Sequence, residues 1–403
     1  SDILDKKKNI LYIVLPIVAA IIVLSAFAVS GNITKKADEK NPTAQTQVSA
    51  VNEQSTVTEK NENAKVTLLA TGDNLIHNTL ISAGEQSDGT LNYDSLYANI
   101  KPEIEKFDIS VIDQETVLGG SAFEYSGYPT FNTPWEVGEA AIRAGFDVFN
   151  CATNHTMDMG WSGIENELAF FADNKEAVAL GVNANEDDYN KVTYYEKNGI
   201  TFAMLNYTYG TNGIPLPDDK PWCVNLLDKD KVTQDLKEAR EHADFVIVFP
   251  HWGTEYSFEV SDYQEEYTKL FSDMGVDLVI GCHPHVIEPV KWVTNESTGK
   301  KMLVYYSLGN FISHQIDLEN LLGGMAEVTI EKRDGKTEIT SAKFVPVVCH
   351  YNRNENGKFA FNVYKLGDYN DDLANTHAQQ GGTVEYFTKI VNDVVDEEFI
   401  SMK

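Results

Sequence analysis

The chain of 403 residues carries 61 acidic against 32 basic side chains, a formal net charge of -29, and 42% of its residues are apolar. That length and apolar share can build a real core in one large or two modest domains, while the charge repels nucleic acid and anionic lipid at long range and excludes a nucleic-acid binder. The same field repels an anionic polymer, so such a ligand would need a local cationic site, which a bound metal ion could supply.

In chain order, the first element follows "DKKK": the mostly apolar run "ILYIVLPIVAAIIVLSAFAVS" from Ile10 to Ser30. About twenty such residues, at roughly 1.5 Å each in a helix, reach across a bilayer core of about 30 Å, which predicts a single-pass transmembrane anchor over 10–30. Lys6, Lys7 and Lys8 make residues 1–9 a cytoplasmic tail and place the rest outside the cell membrane. "AFA" at Ala26–Ala28 also fits a cleaved signal peptide, but the apolar run is longer than the roughly 7 to 15 residues of a usual signal core, which favours the anchor. Residues 31–64 contain no aromatic residue; they bury too little surface to order themselves and are read as a disordered extracytoplasmic linker to a folded domain over 65–403.

Within that domain a theme recurs: an apolar run ending in polar residues, then a segment of helical pattern. The runs are "VTLLATGDN", "DISVIDQET", "DVFNCATNH", "DFVIVFPHWG", "DLVIGCHPH" and "LVYYSLGN". Runs apolar on both faces predict strands of a sheet covered on both sides, with helices at "GWSGIENELAFFADN" and "DKDKVTQDLKEAREHA" packing on it. After about Met325 the pattern alternates, with "RDGK" as a hairpin turn, and a last helix is expected near Thr383–Phe399. No period of roughly 20 to 50 residues recurs, which excludes solenoids. Neither GxSxG, GxGxxG nor a Walker-type loop is present, so serine-hydrolase and nucleotide-binding readings fall away. The cysteines at 151, 223, 282 and 349 are widely spaced and read as buried free thiols, with a single disulfide as the alternative.

The chemistry collects at the strand ends, where ligands sit in layered α/β folds. There stand Asp73 and Asn74, then Glu115, then Asn154, His155 and Asp158, then His251, then His283 and His285. Carboxylate, amide and imidazole ligands together suit divalent manganese, iron or zinc, and a bridging carboxylate fits two ions about 3.5 to 4 Å apart. Spacing of two along an extended chain would set His283 and His285 on one side, with Pro284 restricting the backbone between them. Each piece alone has a structural reading: "TGDN" as a turn, "TNHTMDMG" as a helix start, a single histidine as a satisfied core residue. Five independent strand ends each supplying a ligand type outweigh those readings.

The ordered blocks "TGDN", "DISVIDQET", "ATNHTMDMG", "FPHWGTEY", "GCHPHVIEP" and "YYSLGNF" resemble the poly-γ-glutamate capsule biosynthesis proteins of the CapA type, within the calcineurin-like metallophosphoesterase superfamily, over roughly Lys65 to Val347. The resemblance implies a four-layer αββα sandwich with metal ligands at the strand ends. It assigns Asp73 to one ion and Asn154 to the second. His155 falls to the imidazole that meets the leaving group, His251 to a lone histidine ligand, and His283 and His285 to one ion each. Two departures follow: Leu75 stands where the superfamily's first motif has histidine, with His77 two residues further on, and the superfamily's Gly-Asp bridging aspartate has no equivalent. Glu115 is the nearest candidate for that bridge, with Asp113 as its rival.

Two functions compete. One is a metal-dependent hydrolase or transferase with His155 as proton donor, acting on poly-γ-glutamate or another cell-envelope polymer. The other is a non-enzymatic polymer-binding subunit that serves the capsule synthase and export membrane subunits. Asn310 and His314 are further candidates for the mouth of the site; Trp161 is read as core, while Trp252 and Tyr256 stay open between core and substrate.

Overall fold

In the computed structural model, which describes residues 63–403, the chain lays down half of one sheet, builds a second sheet entirely, and returns to complete the first. The expected cytoplasmic tail, anchor and nearly all of the linker lie outside the described residues. Among the described residues no helix is long and apolar enough to cross a membrane.

Strands β1 (Asn63–Asn74), β2 (Ile109–Asp113), β3 (Val148–Asn150) and β4 (Val178–Leu180) come first and pair in parallel. The second sheet takes β5 (Thr193–Lys197), β6 (Ile200–Thr208), β7 (Phe245–His251), β8 (Leu278–Ile280), β9 (Val290–Thr294) and β10 (Lys301–Tyr305), in the order β5-β6-β7-β8-β10-β9. Then β11 (Asn310–Ile312) pairs beside the end of β1, and β12 (Leu322–Arg333), β13 (Lys336–Arg353) and β14 (Phe359–Lys365) extend the first sheet to the order β14-β13-β12-β1-β2-β3-β4.

Alternation along the strands decides the layers. On β7, Phe245, Ile247 and Phe249 enter the core shared with Leu68 and Ala70 of β1, whereas Val246 and Val248 pack with Val232 and Leu236 of the helix Lys229–His242 and Phe271 of the helix Asp262–Asp273. On the first sheet, Val137 and Ala141 of the helix Trp135–Ala144 and Ile164 and Phe170 of the helix Gly160–Asp173 join the core. Two stacked mixed sheets flanked by helices result, in agreement with the expected architecture. All of β7 is buried, as its unbroken apolar run requires.

Local signals act where they were read. Asp228 caps the helix Lys229–His242 by accepting from the Lys231 N–H at 2.9 Å, and Asp334 and Gly335, at φ 50° and 75°, turn the β12–β13 hairpin. The last helix, Val384–Val394, stops short of Phe399, and β1 starts at Asn63, inside the expected linker. All four cysteines are buried and free.

Two differences matter for the site. The run "ITFAMLNYT" escaped the strand count, yet as β6 it is the inner partner of β7 and is buried along most of its length. "LVYYSLGN" is not one strand: β10 ends at Tyr305, and the chain crosses to the other sheet before β11 begins at Asn310. Gly309, at φ 63°, makes that crossing, and its carbonyl accepts from the Asp73 N–H at 2.9 Å. The backbones approach so closely that a Cβ on Gly72 would lie 1.9 Å from the Gly309 oxygen. Gly72→Ala should therefore destabilise the protein by about 3 kcal/mol or more in urea unfolding, while Gly210→Ala, where a Cβ meets nothing within 4 Å, should be near neutral. Equal midpoints for the two variants would show that the crossing is not tightly packed.

Candidate metal centre

The carboxyl ends of β1, β2 and β3 in one sheet meet those of β7 and β8 in the other. Asp73 ends β1 in register with Asp113 at the end of β2; Glu115 follows two residues later. Asn154 and His155 lie in the turns after β3, His251 ends β7, and His283 and His285 follow β8. All of these side chains are buried.

Glu115 stands in the middle. Its Oε1 is 3.8 Å from His251 Nε2 and 3.7 Å from His285 Nε2, beyond hydrogen-bond range, and neither carboxylate oxygen has a hydrogen-bond partner although the residue is 0% exposed. Glu115, His283 and His285 each offer a ligand atom within 4.8 Å of the others. Around this group, His251 Nε2–H donates to Asn154 Oδ1 at 2.8 Å, and Asp113 Oδ2 faces His251 Nδ1 at 3.3 Å. Asp113 Oδ2, His251 Nδ1 and His283 Nδ1 also lack hydrogen-bond partners. A buried group of carboxylate oxygens and imidazole nitrogens with no protein hydrogen-bond partner is costly by itself and fits divalent cations.

Asp73 is engaged on both oxygens: Oδ1 accepts from the His283 N–H at 3.1 Å and Oδ2 from His285 Nδ1–H at 3.1 Å. Asn310 Oδ1 shares that Nδ1–H at 3.0 Å, so the His285 Nε2 is turned toward Glu115. The two histidines converge, with ring centroids 5.9 Å apart, but not by strand alternation. His283 and His285 have φ of 106° and 61°, so the extended backbone expected around Pro284 is replaced by a tight left-handed turn, a conformation that side-chain-bearing residues adopt at a cost of order 1 to 3 kcal/mol each.

His155 sits apart from this cluster, at the wall of the cleft above it. Its Nδ1–H donates to Asp158 Oδ2 at 2.7 Å, and the same oxygen accepts from the Phe131 N–H at 2.7 Å. Asn74 turns away to donate to Gln114 and accept from Tyr97. His77 reaches the cleft wall beside Leu75. His77 Nδ1 lies between the Leu75 carbonyl at 3.2 Å and the His314 N–H at 3.1 Å, one able only to accept and the other only to donate, so either ring tautomer meets a partner there.

Burial sets the charges. It raises Asp73 despite its histidine partner, pushes Asp113 up to about 7 and lifts Glu115 well above the carboxylate range. Burial likewise pushes His251 down to about 3, His283 well below the imidazole range and His77 down to about 4. For His285 burial opposes the charge, but the Glu115 and Asp73 carboxylates outweigh it and push the ring up to about 10.

The profile of the bacterial capsule synthesis protein family PGA_cap matches residues 67–315. The chain belongs to that family. It is 37% identical over 172 residues to the PGA biosynthesis protein CapA of Bacillus subtilis (strain 168), covering 42% of this chain and 43% of that protein. It is 32% identical over 187 residues to the capsule biosynthesis protein CapA of Bacillus anthracis, covering 45% and 43%. The matched part is thus less than half the length of these relatives. Among solved structures it is similar to a phosphatase from Mycoplasma pneumoniae (13% identity, TM-score 0.46, 70% of this chain and 94% of that one). It is also similar to the calcineurin-like phosphoesterase YfkN of Bacillus subtilis (15% identity, TM-score 0.41, 82% and 96%).

Residues outside the expected set also join the centre. Asn212 Oδ1 accepts from Asn154 Nδ2 at 3.2 Å, which turns the Asn154 oxygen toward His251, and the Tyr209 ring lies 4.6 Å from His283. Both follow β6; the "NYTYGTN" tail of that run carried the same signal as the six runs that were read. Asn310 joins the centre through His285, whereas the His314 ring packs at 4.7 Å against Tyr351 and Phe359. Trp252 is 0% exposed and core, Tyr256 lines the cleft, and Trp161 packs on the core with its ring against Trp222.

Asn212→Ala should weaken retention of a divalent ion roughly 10- to 100-fold in chelator competition, with folding unchanged; undiminished retention would remove Asn212 from the centre. Because an ion must displace protons from raised carboxylates, raising the pH removes its competitor. Manganese affinity by titration calorimetry should therefore climb with pH, more steeply below the value of about 7 for Asp113 than above it, where His285, pushed up to about 10, still has a proton to lose. A pH-independent affinity would contradict this.

Proposed function

We propose that the chain is a membrane-anchored, extracytoplasmic protein of poly-γ-glutamate capsule synthesis or export whose centre is that of a metal-dependent, phosphoesterase-like hydrolase or transferase. The observation that carries the metal reading is Glu115, wholly buried between His251 and His285 with both oxygens unpartnered. Membership of the capsule synthesis family supports the setting, as do the names of the Bacillus relatives. The apolar run Ile10–Ser30 supports an anchor with the body outside the cytoplasm.

Asn154, His251 and His283 would hold one ion of manganese, iron or zinc, Asp73 and His285 the other, with Glu115 between them. To ligate through Nε2, His251 carries its proton on Nδ1, facing Asp113 Oδ2 at 3.3 Å, so Asp113 orients the ligand rather than bridging. Bound ions supply water activation and offset charge developing on the substrate. The chain's own contribution to proton transfer is His155, locked by Asp158 on Nδ1 so that Nε2 serves the leaving group.

The second reading, a polymer-binding subunit working with capsule synthase and export membrane subunits, is favoured by one observation. Leu75 occupies the place of a ligand, and both Asp73 oxygens are already engaged, so the ion at that end has a thin ligand set. Turnover of a chromogenic phosphodiester separates the readings. His155→Ala should lower it by roughly 10²- to 10⁴-fold with metal content by plasma mass spectrometry unchanged. No turnover in the wild type, with polymer binding retained, would give the protein to the accessory reading.

A further inference from the structure

The cleft above the centre encloses about 470 Å³, and its walls are largely aromatic. Tyr128 is 75% and Tyr256 55% exposed at its rim. Phe131 lies behind Tyr128 at 6.5 Å and meets His155 edge-on at 4.7 Å. The Tyr256 ring is 5.9 Å from that of His285, so the aromatic wall begins beside the ion ligands. Such rings offer flat apolar faces with polar edges, and here two of them stand exposed on one cleft, where a ligand could cover both at once.

The remaining polar groups are neutral donors and acceptors: the amides of Asn212 and Gln315, the Thr130 hydroxyl and the ring of His77, which burial keeps uncharged, a set that suits hydroxyl groups. Among the described residues lining the cleft there is no lysine or arginine; besides its histidines, the ionisable groups Asp158 and Glu255 are acidic. At the centre, two divalent ions set against the carboxylates of Asp73, Asp113 and Glu115 leave one positive charge. One anionic group can be met there, and each further one would face Glu255 and the field of a chain with net charge -29.

We infer that the cleft takes a substrate with a single phosphate joined to a neutral, hydroxyl-bearing ring of the sugar type, the phosphate over the ions and the ring on the Tyr128–Tyr256 wall. The inference rests on the metal reading and narrows its substrate: the centre works on a phosphorylated neutral component, and a run of carboxylates such as poly-γ-glutamate does not enter the cleft.

The test is titration calorimetry on the manganese-loaded full chain with inorganic phosphate and glucose 1-phosphate, with released phosphate assayed to exclude hydrolysis, and poly-γ-glutamate as competitor. Glucose 1-phosphate should bind about tenfold tighter than inorganic phosphate, the scale of one good aromatic contact. The advantage should vanish in Tyr128→Ala/Tyr256→Ala, with inorganic phosphate binding unchanged, and poly-γ-glutamate should not displace the sugar phosphate. Manganese and phosphate binding without any gain from the sugar would overturn this inference and leave the metal reading standing. So would displacement by poly-γ-glutamate. Failure of the wild type to retain manganese or bind phosphate would overturn both.

Discussion

A carboxylate closed off from water with neither oxygen hydrogen-bonded loses its hydration and recovers nothing. Glu115 is in that position, and the structure around it makes sense as the means of keeping it there. Its own sheet supplies Asp73 and Asp113 on adjacent parallel strands; the facing sheet supplies His251 and the turn bearing His283 and His285. Neither sheet alone holds a full ligand set, so the stacking of the two is as much a condition of the site as any single side chain.

The turn after β8 shows how the sandwich sustains backbone that would not persist in isolation. Two histidines held at positive φ are strained, and the strain is offset from both sides: Asp73 accepts from the His283 N–H and the His285 ring, Asn320 donates to the His285 carbonyl, and the Tyr256 N–H donates to the Pro284 carbonyl. Such over-determination at a ligand-bearing turn is the pattern expected where preorganised geometry serves a site. The same device recurs at lower cost where Gly72 and Gly309 bring β1 against the crossing strand, which seats Asp73.

Charge constrains what the site could admit. With a net charge of -29 and two carboxylates, Asp158 and Glu255, along the cleft, the chain repels polyanions at long range, and the positive charge that ions would add at the centre is limited by the carboxylates of Asp73, Asp113 and Glu115 around them. Aromatic rings and amides along the wall would then be the contacts open to whatever carries the anionic group.

Composition and pattern in the chain were enough to specify an acidic α/β protein with apolar strands, to locate its caps and hairpin, and to nominate Asp73, Glu115, Asn154, His155, His251, His283 and His285. Those signals are local: an apolar run must be buried, and polar residues at its end must lie near a layer edge. Which residues meet was settled only by the tertiary structure, because contact across two sheets depends on stacking and on chain crossings that have no sequence period. Thus Glu115 lies between the histidines while Asp113 stands behind His251, the imidazole pair converges through a left-handed turn, Asn212 from the uncounted β6 orients Asn154, and the His314 ring packs away from the cleft that His77 lines.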